Sequence, residues 1–190
     1  MDSGQHAHGR QPGIVRRFLS FLLCIVIVIV AVWGIRTYVA EPFEVPSASM
    51  ENTIMTGDRL FAEKLSYQFS EPQRGDIVVF SDPQVPSRVL VKRVIATEGQ
   101  TISMSGGVLY VDGLAQNESY TLGETYPLSQ TAGNVSLSYP YVVPAGEIWV
   151  MGDNRENSSD SRYFGPIDVD TVFGKALFTY WPLDRIGLLS

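Results

Sequence analysis

Two hydroxyls stand close together in Pro46-Ser47-Ala48-Ser49-Met50, a stretch with no evident packing role. A serine hydroxyl attacks a carbonyl only when a neighbouring base takes its proton, so Ser49 is a candidate nucleophile if the chain supplies that base. Composition narrows the supply. Both histidines, His6 and His8, lie ahead of the apolar segment, and the 150 residues from Glu41 to Ser190 contain none, which excludes a Ser-His-Asp triad there. The same stretch has no cysteine, which rules out thiol chemistry and leaves no Cys/His zinc site, so neither metal nor cofactor is expected. What remains is a carboxylate or one of the lysines after Glu41, namely Lys64, Lys92 and Lys175.

These candidates need strands and loops to position them. Arg88 to Ala96 reads RVLVKRVIA, and its β-branched content predicts a strand. Alternation sets Leu90, Lys92 and Val94 on one face, where loss of water favours the neutral amine that a base requires. Lys175, between Phe173 and Leu177, has the same setting, so spacing leaves both lysines open. A further apolar strand, Glu147 to Met151, leads into Gly152-Asp153-Asn154-Arg155-Glu156-Asn157-Ser158-Ser159-Asp160-Ser161-Arg162. This could be a solvated loop. Yet Asp153, Arg155, Asp160 and Arg162 carry paired opposite charges suited to a hydrogen-bonded scaffold beside a site.

The whole chain organises these pieces into three spans. Residues 1–17 are polar, basic toward their end and expected to be unstructured. Residues 18–35, FLSFLLCIVIVIVAVWGI, hold no charge and predict one transmembrane helix, with Cys24 in it as a small hydrophobe. Arg10, Arg16 and Arg17 precede this helix and Arg36 alone follows closely, which puts the N-terminus in the cytoplasm and the rest outside. A cleaved signal peptide is the alternative, but Tyr38-Val39-Ala40 makes a poor cleavage site. Residues 36–190 then form one extracytoplasmic domain, with 10 basic against 19 acidic residues from Glu41 on, a balance unsuited to nucleic acid. Glu41 to Pro46 reads as an extended connector. Strands are expected at 59–67, 77–80, 88–96, as a meander over 101–116 and at 147–151, with long loops or a β excursion from Asn117 to Tyr139. Near the C-terminus, Trp181, Leu183, Leu188 and Leu189 are apolar residues suited to a bilayer surface.

Four stretches together resemble the type I signal peptidases of the bacterial serine-lysine kind: PSASM with Thr53, GDRL with Lys64 and Tyr67, RGDIVVF followed by VKRVI, and GDNRENSSDSRYFG. The resemblance covers most of the chain outside residues 100–145 and is closest to the short members with a single anchor. It implies a mainly β fold, an antiparallel, partly open barrel-like core with a smaller β excursion at about 100–145. It also implies Ser49 as nucleophile, Lys92 as general base, and an oxyanion hole of the Ser47 hydroxyl and the Ser49 backbone N–H. Ser158 would orient Lys92, with Asp153, Asp160, Arg162 and Arg93 supporting. The substrates would be secretory preproteins cut after a small residue at the membrane. Asn52 stands where the family usually has proline, and Ala96, Glu98 and Gln100 replace a glycine, a proline and an aspartate. The reticulum branch of the family uses histidine and is excluded. Two other readings compete: a non-catalytic, membrane-anchored β domain that binds an extracellular partner, and a self-cleaving serine-lysine repressor, which would require a DNA-binding domain in place of the anchor.

Overall fold

The computed structural model describes residues 13–38, 40–133 and 135–189. The chain divides near Tyr38 into two units. The first holds α1, Ile14–Tyr38, an unbroken helix of 25 residues. At 1.5 Å per residue it is about 37 Å long, enough to cross a hydrocarbon core of about 30 Å. Its apolar side chains are exposed on all sides, as a helix solvated by lipid requires. The helix begins four residues before the expected Phe18 and takes in Arg16 and Arg17, so the tail is not unstructured up to residue 17. Residues 1–12 of that tail lie outside the described residues.

The second unit is antiparallel β. Its strands are β1 (Ala40–Glu44), β2 (Arg59–Glu63), β3 (Ile77–Ser81), β4 (Val89–Ala96), β5 (Thr101–Ser105), β6 (Val108–Val111), β7 (Leu114–Ala115), β8 (Tyr141–Val142), β9 (Glu147–Met151), β10 (Ile167–Asp168), β11 (Val172–Trp181) and β12 (Gly187–Leu188). The large sheet runs β1-β2-β11-β3-β4-β9-β10, with β12 beside β11. Register breaks at Val94/Ala96 and at three places in β11 bend it, and among the described residues β1 and β10 do not pair, so it curls into a half-barrel. A smaller sheet, β7-β6-β5-β8, is the expected excursion, and of the two forms expected for Asn117 to Tyr139 the described residues take the long loop.

Burial explains the pattern. The unbroken apolar run of β3 is covered on both faces: Val78 and Phe80 join Val94, Val150 and Phe164, while Ile77 and Val79 join Met50, Ile54, Leu60 and Ala62. A third cluster of Ile95, Ile102, Leu109, Trp149 and Met151 joins the two sheets. Each such side chain contributes about 1.5–3 kcal/mol when fully buried.

Three expectations change at the level of local chemistry. Glu41 to Pro46 is more than a connector, because its first half is the edge strand β1, where Pro42 lacks a donor and does least harm. The strand expected over 59–67 stops at Glu63, whose Oε2 accepts from the backbone N–H of Leu65 and Ser66 and starts a short helix, α2 (Ser66–Phe69). Asn52 has φ of 88°, a left-handed conformation that asparagine tolerates and a proline ring forbids. The turn after Met50 is therefore one that the usual proline could not build.

Candidate active site

Ser49 lies in a single 3₁₀ turn, Ala48–Met50. Met50 and Ile54 are buried beneath it, and Val45 exchanges backbone hydrogen bonds with Asp58 and Gly57 at 2.9 and 2.8 Å, closing the loop at its base. Ser47 precedes the turn without capping it, and its hydroxyl lies 3.4 Å from Ser49 Oγ.

Lys92 reaches the same hydroxyl from β4. It is 2% exposed, and its Nζ donates to Ser49 Oγ at 2.5 Å. Burial pushes the Lys92 ammonium down to about 8, against the attraction of Asp160 and Asp153. At pH 7 that leaves about 10% of the amine neutral, compared with roughly 0.04% for a free lysine near 10.4. Once the amine is neutral, the short contact can reverse, with Ser49 donating to Lys92. The other two lysines are engaged elsewhere: Lys175 Nζ lies 2.6 Å from Asp76 and Lys64 Nζ 2.7 Å from Glu41. The two lysines that alternation left equivalent differ in what lies opposite each: the Ser49 hydroxyl for Lys92 and the Asp76 carboxylate for Lys175.

The polar stretch after β9 is buried at both ends, Gly152 to Arg155 and Asp160 to Arg162, where it forms a scaffold, and only Glu156, Asn157 and Ser159 between them are exposed. Asp153 accepts from Arg93 Nε and Nη2 at 2.9 and 2.8 Å and from the Thr53 hydroxyl at 2.5 Å. Asp160 accepts from Arg162 Nε and Nη2, both at 2.9 Å, and from the Gly152 N–H at 3.1 Å, while capping α3 (Ser161–Phe164). Arg162 in turn donates to the Arg155 carbonyl at 2.7 Å. Ser158 is different. Its hydroxyl, which the resemblance assigns to holding Lys92, is buried without a hydrogen-bond partner, though it favours the Asp160 anion.

Residue-type reasoning missed three contributors. Asn154 donates from its backbone N–H to the Ser49 carbonyl at 3.1 Å and from Nδ2 to the Ala48 carbonyl at 3.2 Å, so the scaffold holds the serine turn by its backbone. Gly152 allows that approach: a Cβ there would stand 2.2 Å from Ser158 Oγ and 2.4 Å from the Ser49 carbonyl oxygen. Tyr120, from the long loop, lays its ring 4.0 Å from the Arg93 guanidinium carbon. Of these only Gly152 had a sequence signal, as the lone small residue at the end of a buried strand.

Beside Ser49 and Lys92 runs an open groove of about 480 Å³, lined mostly by Phe43 to Ser47 on one side and Arg88 to Val91 on the other. Among the described residues, β1 pairs only with β2, and β9 pairs with β4 only from Arg93 onward. Both walls therefore offer unpaired backbone to an extended chain.

A half-barrel that opens two strand edges beside a hydroxyl and a dry amine has the make-up of a serine hydrolase acting on peptides. Comparison with known proteins agrees: the sequence model of the family "Signal peptidase, peptidase S26" matches residues 18–181, and the chain belongs to that family of serine endopeptidases. It is 40% identical over 164 residues to the probable signal peptidase I-1 of Synechocystis sp. (strain ATCC 27184 / PCC 6803 / Kazusa), covering 82% of this chain and 79% of that one. It is 38% identical over 169 residues to signal peptidase I of Leptolyngbya laminosa, covering 85% and 79%. A crystal structure of a signal peptidase I from Enterococcus faecalis V583 shares 31% identity and covers 56% of this chain and 97% of that one, with a TM-score of 0.43.

Proposed function

We propose that the protein removes signal peptides from secreted preproteins by a Ser49–Lys92 dyad, working outside the cytoplasmic membrane to which α1 ties it. The observation that carries this reading is the 2.5 Å contact between Ser49 Oγ and a buried amine whose charge is disfavoured. Neutral Lys92 accepts the Ser49 proton as Oγ attacks the scissile carbonyl, then passes it to the leaving amine. The same amine next deprotonates a water that attacks the acyl carbon, and as the carbon–Oγ bond breaks Lys92 returns that proton to Ser49 Oγ. The Ser47 hydroxyl and the Ser49 N–H serve the oxyanion, each donor worth about 3 kcal/mol in the transition state. Asp153, Asp160, Arg93 and Arg162 keep the two partners in register. The substrate adds as a strand to the open edges of β1 and β4, its side chains alternating between groove and solvent.

The test uses one substrate in two settings. Purified protein should cut a preprotein after a small residue, and intact spheroplasts carrying the protein should cut an added, impermeant signal-peptide substrate. Ser49→Ala should abolish both. Cleavage by Ser49→Ala would refute the dyad, while cleavage by purified protein but not by spheroplasts would refute the orientation.

The bilayer is a partner through more than the helix. Trp181, Leu183 and Leu188 are exposed, as is Ile186, whereas Leu189 packs against the cluster of Met50 and Leu60 and is not available. Residues 41–190 alone should co-float with phosphatidylcholine vesicles, and Trp181→Ser together with Leu188→Ser should release them. A domain that never floats would show that this surface stays in water.

A further inference from the structure

The long loop after β7 has a task that its composition conceals. We propose that Tyr120 is a positioning residue for the reaction, acting through Arg93 on the Ser49–Lys92 pair, an inference that rests on the dyad reading above. Three contacts converge on it. Its ring covers the Arg93 guanidinium at 4.0 Å, its carbonyl accepts from Asn52 Nδ2 at 3.0 Å, and its hydroxyl donates to Glu118 at 2.8 Å. Arg93 adjoins Lys92 on β4, and Asn52 lies two residues after the serine turn.

The loop is itself fastened to the scaffold. The Leu122 N–H donates to the Asp153 carbonyl and the Arg155 N–H to the Leu122 carbonyl, both at 2.8 Å, so the strap lies directly along the residues that hold Ser49. Arg155 grips Glu118 through both terminal nitrogens at 2.7 and 2.8 Å. Glu118 is therefore satisfied without the tyrosine, and removing the ring uncovers Arg93 without changing any charge.

The effect on Lys92 has a definite sign. The charged groups acting on it are Asp160, Asp153, Arg88 and Asp82, and of these Asp153 is held by Arg93. With the ring absent, water reaches Arg93, its grip on Asp153 weakens, and more of the Asp153 charge is felt by Lys92. Water also lowers the cost of the ammonium. Both changes favour charged Lys92, so the rising limb of activity moves to higher pH. Aromatic cover is what matters, and phenylalanine supplies it as well as tyrosine does.

The experiment measures kcat/KM against pH for full-length protein in detergent, with thermal melting of each variant. Tyr120→Phe should match wild type. Tyr120→Leu, which fills the space without a π face, should lose about tenfold in kcat/KM at pH 7 and recover at pH 9, and Tyr120→Ala should do the same if it folds. An unmoved limb in Tyr120→Leu, or equal losses in Tyr120→Leu and Tyr120→Phe, would overturn the proposal while the dyad stands. If Lys92→Ala remains active, the dyad reading falls and takes this proposal with it.

Discussion

Lys92→Arg should be as inactive as Ser49→Ala, losing about 10⁴-fold or more in kcat/KM, while Lys175→Arg and Lys64→Arg stay within a few-fold of wild type. Arginine keeps the charge and most of the length but cannot give up its proton, so it can neither accept from Ser49 nor activate water. Lys175 and Lys64 are paired with Asp76 and Glu41, and arginine can keep those ion pairs. The pH profile supplies the sign. Burial brings the Lys92 ammonium down to about 8, and in the proposed dyad the neutral form is the active one, so kcat/KM should rise with unit slope below pH 8 and level off above it. A limb near the free lysine value of about 10.4 would mean that the base is not buried Lys92. An active Lys92→Arg beside a dead Lys175→Arg would transfer the role to the other strand.

The second large effect is on stability. Asp160→Ala should lower the melting temperature by roughly 6–20 °C, from about 3–5 kcal/mol for a buried arginine left without its carboxylate and about 2–4 °C per kcal/mol in a domain of this size. Asp160 is fully buried and answers Arg162 with both oxygens, the Gly152 N–H and the first turn of α3 at once. Asp168→Ala, which removes an exposed cap on the Asp170 N–H, is the control and should cost about 1 kcal/mol. Burial alone would raise the Asp160 carboxyl, but Arg162 and the Gly152 N–H outweigh it and hold the group below its usual range. Its contribution is thus complete above the ordinary carboxylate value of about 3.9 and is lost as pH falls through the lower folded value. The gap between Asp160→Ala and wild type should close only in that acid range. Equal melting temperatures at pH 7 would show that Arg162 finds another partner and that the scaffold does not depend on this pair.

What the sequence could reveal followed from chemistry that acts over short spans. The absence of histidine and cysteine after Glu41 reduced the bases to a few, and the apolar runs at 77–80 and 147–151 announced buried strands. Lys92 and Lys175 could not be separated by alternation, because the difference lies in what the fold brings opposite each: Ser49 in one case, Asp76 in the other. Asn154 and Tyr120 were illegible for a related reason. Each acts on residues far along the chain, Asn154 on Ala48 and Ser49 and Tyr120 on Arg93 and Asn52, and neither has a local pattern that reports it. Asn52 was noticed only as a departure from the usual proline, and its left-handed φ gives that departure a conformational meaning.

The edges of β1 and β4 that stay unpaired among the described residues have a consequence for the proposed substrate beyond where it lies. A strand inside a folded protein already shares its N–H and C=O groups with neighbours and has none to offer, so it cannot complete these edges without first coming apart. Only a segment that is extended and unpartnered when it reaches Ser49 can fill the gap. If substrates add to these edges as proposed, the groove judges the state of a chain before its sequence: a cleavage region that has folded is refused however well its side chains fit, and cutting has to come before local folding does.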